Sequence, residues 1–173
     1  MNKIFFISEI GINHNGDLEL AKKMIEQSIQ AGADAIKFQK RDIDLVYSKE
    51  ELDKPRVSPF GTTQRDQKKG LEFGQKDYEE IDKFCKAKGT TWFASAWDLN
   101  SLNFLKKFDL KYNKIASAMI VDSNFLNEVA KQKKYTFIST GMSSFKDIDN
   151  AVEIFKKHNC AFELMHTISA YPF

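Results

Sequence analysis

Residues 5–16 read FFISEIGINHNG: a short apolar run that reaches an acid, Glu9, and then a Gly/Asn/His turn. The four consecutive apolar residues Ile4 to Ile7 are too few for a helix and predict a buried strand, Ile4 to Ile10. Glu9 and Asn13 to Gly16 then sit where that strand opens into a loop, and the latter four have the composition of a turn with positive φ. The rest of the chain repeats the phrase: an apolar run, one or two polar residues at its end, then a helix.

Working outward, Asp17 is the N-cap of a helix from Leu18 to Ala31, with a buried stripe of Leu18, Ala21, Met24, Ile25 and Ile29 and Gly32 as its stop. Ala33–Gln39 reads as strand two, with Lys37 near its end. Arg41–Gln75 is a long connection holding all but one of the prolines, and its length predicts a functional loop rather than a linker. Helical periodicity returns over Lys76–Lys88. Strand three is Thr91–Ala96, followed by a helix capped by Asp98 that runs through Leu105. Strand four is Tyr112–Ser117, with a helix over Asp122–Gln132. Strand five is Tyr135–Ser139, with a helix capped by Ser143 or Ser144 that runs to His158, and strand six is Ala161–His166.

This βα alternation predicts a parallel sheet of about six strands with five helices. A doubly wound sheet and a TIM (β/α)8-type barrel both satisfy it. The barrel is favoured because polar residues recur at every strand end: Glu9, Lys37, Ser95, Lys114 with Ser117, Ser139 with Thr140, and His166. A barrel gathers such ends around one mouth, whereas an open sheet spreads them along an edge. The barrel would be incomplete, since closure takes eight strands and usually about 250 residues.

The 173 residues suit one domain, and 42% apolar with 29% charged residues is the balance of a soluble globular chain. A net charge of +2, with lysines scattered rather than clustered, argues against nucleic acid or a membrane surface as partner. No apolar segment approaches the roughly 20 residues of a membrane span, and the N-terminus lacks a signal-peptide pattern, so a cytoplasmic location is expected. Cys85 and Cys160, without CxxC spacing, read as reduced structural thiols.

Lys37 and Lys114 at strand ends, with hydroxyls from Ser95, Ser117, Ser139 and Thr140, suit a small dianion. Lysine supplies point charge to phosphate or carboxylate, while hydroxyls and backbone NH groups fix its orientation. A strand-end lysine could instead form a Schiff base, as in aldolases. Glu9, the only acid at a strand end, could bind sugar hydroxyls or act in acid–base chemistry. His14 and His166 lack the HxxxH or HExxH spacing of a metal site, which favours ordinary hydrogen-bonded histidines. Trp92, Trp97 and the many Phe residues read as core.

Six segments in order, SEIGINHNG, AIKFQ, FASAWD, YNKIAS, ISTGMS and LMHTISAYP, resemble the N-terminal barrel of the sialic acid synthase (N-acetylneuraminate synthase) family. The resemblance covers nearly the whole chain, one motif per strand end, and FGTTQRDQKKGLEFG resembles one subgroup. It implies condensation of phosphoenolpyruvate with an N-acetylated aldose such as N-acetylmannosamine, giving a nine-carbon 2-keto sugar acid and phosphate. It implies catalytic roles for Glu9, Lys37 and Lys114, and substrate contacts from Ser95, Ser117, Ser139, Thr140, His166, Ser169 and Tyr171. Ser169 falls where the family often has an asparagine. Ala118 and Met119 stand where many relatives have Gly and an acid, and Ala96 replaces a common threonine.

The resemblance further implies a divalent ion, Mn2+ or Mg2+, whose two histidine ligands belong to strands seven and eight, and an antifreeze-like C-terminal domain in a homo-oligomer. Neither the ligands nor that domain lies within residues 1–173. The expectation is therefore a partial barrel, inactive alone, with apolar sheet edge exposed. A non-catalytic, anion-binding or self-assembling unit is the alternative from another class.

Overall fold

A computed structural model describes residues 4–170. Six parallel strands form one sheet: β1 (Ile7–Gly11), β2 (Ala35–Lys40), β5 (Thr91–Ala96), β6 (Tyr112–Ile115), β7 (Tyr135–Ser139) and β8 (Phe162–Met165). The missing numbers, β3 (Pro55–Ser58) and β4 (Gly61–Thr63), pair with each other as an antiparallel hairpin. The sheet order is β1-β2-β5-β6-β7-β8. Each parallel strand therefore lies beside its successor, always on the same side. A doubly wound sheet reverses direction at a switch point, and this one does not, which leaves the incomplete (β/α)8-type barrel.

The chain divides into two compact units that meet within β5, at Ala94 and Ser95. In the first, α1 (Leu18–Gln30) follows β1 and α5 (Gln75–Ala87) precedes β5. Asp17 caps α1 by accepting the N–H groups of Glu19 and Leu20, as the sequence predicts. The core holds Ile10, Ala21, Ile25, Ile36, Phe38, Tyr78, Ile81 and Phe93. Ala35 to Phe38 are all buried, because a parallel strand is covered on both faces.

Strand β1 begins three residues later than expected, and Ile4, Phe5 and Phe6 are 69%, 41% and 60% exposed rather than buried. The register explains the shift: Ile7 pairs with Ala35, the first residue of β2, and the Phe6 carbonyl accepts the N–H groups of Asp34 and Ala35. Apolar character alone does not make a strand where no neighbour starts.

The long connection is folded rather than a loop. It contains α2 (Ile43–Val46), α3 (Lys49–Leu52), the β3–β4 hairpin and α4 (Gln64–Gly70). Thr63 and Asp66 form a capping box that starts α4. The insertion is tied to the first strand's loop: Phe73 stacks on His14 with ring centres 3.8 Å apart, and Gly16 lies so close to Gly70 that a Cβ there would meet its carbonyl oxygen at 2.3 Å. Gly16 also has φ +74° and Asn15 φ 52°, the positive-φ turn expected of that tetrapeptide.

The second unit repeats the simple phrase. Asp98 caps α6 (Leu99–Leu105), Asp122 caps α7 (Ser123–Ala130) and Ser144 caps α8 (Phe145–Lys157). Its core is Leu102, Ile115, Phe125, Leu126, Val129, Phe137, Ile138, Ala151 and Phe155. Ser117, expected at the end of a strand, instead opens a short 3-10 turn, Ser117–Met119, because β6 stops at Ile115. β8 ends the sheet order, and Leu164 on it is 41% exposed. No helix of the described residues is long and apolar enough to cross a membrane.

Candidate active site

The polar residues of the repeated phrase lie in or just after the parallel strands: Glu9 in β1 and Lys37 in β2 of the first unit, Ser95 in β5, Lys114 in β6 and Ser139 in β7 of the second. In the first unit, the β1–β2 register sets Glu9 opposite Lys37. Lys37 is 7% exposed, and its Nζ lies 2.6 Å from Glu9 Oε2 while donating to the Phe38 carbonyl at 3.2 Å. Half of the Glu9 side chain remains in solvent. The lysine is thus supplied with a counter-charge by its own neighbour strand.

His14 is core rather than site. It is 2% exposed, and its Nδ1 accepts the Gly16 N–H at 3.1 Å. Burial lowers its pKa to about 4, so the ring is neutral at physiological pH. Among the described residues no group of three or more His, Cys, Asp or Glu side chains could hold a metal ion. The described residues therefore do not fit a divalent-ion centre.

The second unit solves the lysine problem differently. Ser95 and Lys114 face each other in the β5–β6 register, 2% and 9% exposed. Lys114 Nζ donates to Ser139 Oγ at 2.5 Å and to the Ile115 carbonyl at 2.8 Å. No carboxylate pairs with it among the described residues, and burial alone pushes its pKa down to about 8. Ser117 Oγ accepts the Gly141 N–H at 3.0 Å. A Cβ on Gly141 would meet Ser169 Oγ at 2.4 Å, Ser117 Oγ at 2.9 Å and the Thr167 carbonyl at 3.1 Å, so glycine is what lets three hydroxyl-bearing segments converge.

Thr140 is engaged in holding the sheet: its Oγ1 and its N–H donate to the Met165 carbonyl at 3.0 and 3.1 Å. His166 and Ser169 are exposed beyond β8, and Tyr171 lies outside the described residues. Gly141, on which Ser117 and the segment from Thr167 to Ser169 close, is not among the residues the sequence singles out. Its only signal was its place in the strand-end phrase STGM.

Residues 24–173 match the model of the NeuB family. This chain belongs to the NeuB family. It is 33% identical over 170 residues to N-acetylneuraminate-9-phosphate synthase of Homo sapiens, covering 97% of this chain and 47% of that protein. It is 32% identical over 177 residues to N,N'-diacetyllegionaminic acid synthase of Legionella pneumophila, covering 97% and 49%. Among solved structures it is similar to the N-acetylneuraminic acid synthetase of Leptospira borgpetersenii in complex with citrate, with a TM-score of 0.87 and 33% identity, over 99% of this chain and 56% of that one. The chain spans about half the length of the curated relatives it matches. By name, these relatives are sugar acid synthases.

Proposed function

We propose that this chain supplies the donor-binding part of a synthase that condenses phosphoenolpyruvate with an N-acetylated aldose, such as N-acetylmannosamine, to a nine-carbon 2-keto sugar acid and phosphate. The observation that carries the reading is Lys114, a buried ammonium that donates to the Ser139 hydroxyl and the Ile115 carbonyl and that no carboxylate neutralises among the described residues. A bound dianion provides the missing counter-charge, and its attraction to a preorganised buried cation is far stronger than in water. Ser95, Ser139 and Ser117 orient the phosphate and carboxylate oxygens.

Lys37 adds a second positive group to the donor, and Glu9, anchored by that lysine, receives sugar hydroxyls and holds the acceptor within attack distance. His166, Ser169, Thr140 and Tyr171 belong to the substrate contacts. In the reaction, C3 of phosphoenolpyruvate forms a bond to the open-chain aldehyde carbon. Water adds at C2, and the C2–O bond to phosphate then breaks from the tetrahedral intermediate. A divalent ion, Mn2+ or Mg2+, would supply Lewis acidity to the aldehyde. No group of three or more His, Cys, Asp or Glu side chains among the described residues suits such an ion, and on this reading the chain by itself binds donor without turnover. We place the protein in the cytoplasm as a homo-oligomer, without nucleic-acid or membrane partners.

The test is to mix the chain with phosphoenolpyruvate, N-acetylmannosamine and Mn2+, and to measure donor binding and phosphate release separately. Saturable donor binding that is lost in Lys114→Met supports the reading; donor binding unaffected by that substitution refutes it. Phosphate release would overturn the claim that the piece is inactive alone. A depressed lysine pKa also favours a Schiff-base aldolase, because more of the amine is neutral and nucleophilic. That reading requires borohydride to trap pyruvate on Lys114 or Lys37, and absence of the adduct removes it.

A further inference from the structure

The insertion between β2 and α5 carries a second cluster of cations, outside the strand-end set. Arg41 follows the last residue of β2 and is 6% exposed. Its guanidinium is held on two sides: Nε donates to Glu72 Oε1 at 2.7 Å, and Nη1 donates to the Tyr47 hydroxyl at 2.8 Å. Glu72 also accepts from the Arg41 backbone N–H at 3.2 Å and from Lys40 Nζ at 3.3 Å, so one carboxylate serves two cations.

Nη2 of Arg41 is buried and has no hydrogen-bond partner among the described residues. Leaving a buried donor unmet is costly, more so when it is charged, so an unmet guanidinium NH calls for an acceptor. Lys68 lies on the same tyrosine, its Nζ 4.1 Å from the ring centre, while Arg41 Cζ is 5.8 Å from that centre. Burial lowers the Lys68 pKa, the charge of Arg41 lowers it further, Glu51 opposes this, and Arg56 adds to the lowering. Arg65 and Lys69, the other cations of α4, are occupied by Asp44.

We propose that Arg41, Tyr47 and Lys68 form an oxyanion site that takes a phosphate group. Arg41 Nη2 donates to one oxygen, and the Tyr47 hydroxyl, which accepts from Arg41, has its own proton to donate to the same anion. Lys68 supplies a second charge and Arg56 the surrounding field. A guanidinium suits this task because its planar fork matches tetrahedral oxyanions. The inference rests on the insertion alone and stands whether or not the condensation reading is correct. The phosphate has two possible sources, free in solution or carried by a sugar.

The test follows the Arg41 side-chain NH resonances of the full chain during titration with inorganic phosphate. They are expected to shift and saturate in the wild-type protein, with affinity about tenfold weaker in Lys68→Met, a loss of one charge-assisted contact. Tyr47→Phe is expected to weaken it by a smaller factor, and Lys114→Met to leave this isotherm in place. Resonances of Arg41 that do not move, or a curve unchanged in Lys68→Met, would overturn the proposal without touching the donor site. N-acetylmannosamine 6-phosphate, compared with N-acetylmannosamine plus phosphate, identifies the source. A shift at much lower concentration of the phosphorylated sugar assigns a sugar-borne group, and equal concentrations assign the free anion.

Discussion

Lys37 and Lys114 are the same residue type at the ends of parallel strands, equally buried, yet their surroundings differ in one respect. Lys37 has Glu9 at 2.6 Å, whereas Lys114 meets a hydroxyl and a carbonyl and, among the described residues, no carboxylate, and its pKa falls to about 8. The first arrangement is complete within the protein. The second is electrostatically open, and an anion closes it. A lysine's neighbourhood rather than its presence therefore tells which position recruits a ligand and which orients one.

Removing each ammonium in turn is expected to have the largest effects. Lys114→Met is expected to weaken phosphoenolpyruvate binding by about a hundredfold or more, since a buried charge-assisted contact is lost. It is also expected to stabilise the ligand-free chain at pH 7 by up to about 3 kcal/mol, the cost of keeping that amine charged while buried. Lys37→Met should give no such stabilisation, because its charge is already met. Equal stabilisation by the two substitutions, measured by urea unfolding, would erase the distinction.

Acid creates the open situation in the first unit. His14 has a folded-state pKa of about 4 against 6.5 when unfolded, so the unfolded chain binds the proton more readily. Stability is complete above pH 6.5 and is lost as pH falls toward 4, by about 3 kcal/mol in all. His14→Phe, which keeps a ring on Phe73, is expected to flatten that limb of the stability–pH curve.

Alkali acts on the second unit in the opposite sense. Above pH 8 Lys114 loses its proton, and anion affinity should decline by up to about tenfold per pH unit, while the ligand-free fold gains stability until pH 10.5. Calorimetric titrations at pH 7 and 9 check both signs, and a flat affinity would show that Lys114 does not meet the donor. The smallest effect is expected of Glu9→Gln. Half of this carboxylate is in solvent, so its pairing with Lys37 is worth below about 1 kcal/mol, measurable as the coupling in a double-mutant cycle with Lys37→Met.

Much of this architecture is written locally. Asp17, Asp98, Asp122 and Ser144 each accept backbone N–H groups at a helix start, and such caps are legible because they depend on neighbours two or three residues away. The first strand starts later than its composition predicts because β2, its ladder partner, begins at Ala35 opposite Ile7, and Ile4 to Phe6 lie before that register. The insertion read as a loop because its short helices and hairpin draw stability from contacts such as Phe73 on His14 and Glu72 on Arg41, which span 59 and 31 positions.

The alternation of strand and helix, the polar residue at each strand end and the family are all legible in order along the chain. The tertiary structure decided that successive parallel strands are neighbours without reversal, that His14 is a buried wedge, and that one lysine is neutralised while the other is not. Charge compensation is a property of distance in space, and a residue's counter-ion, or its lack of one, leaves no mark on the order of the letters.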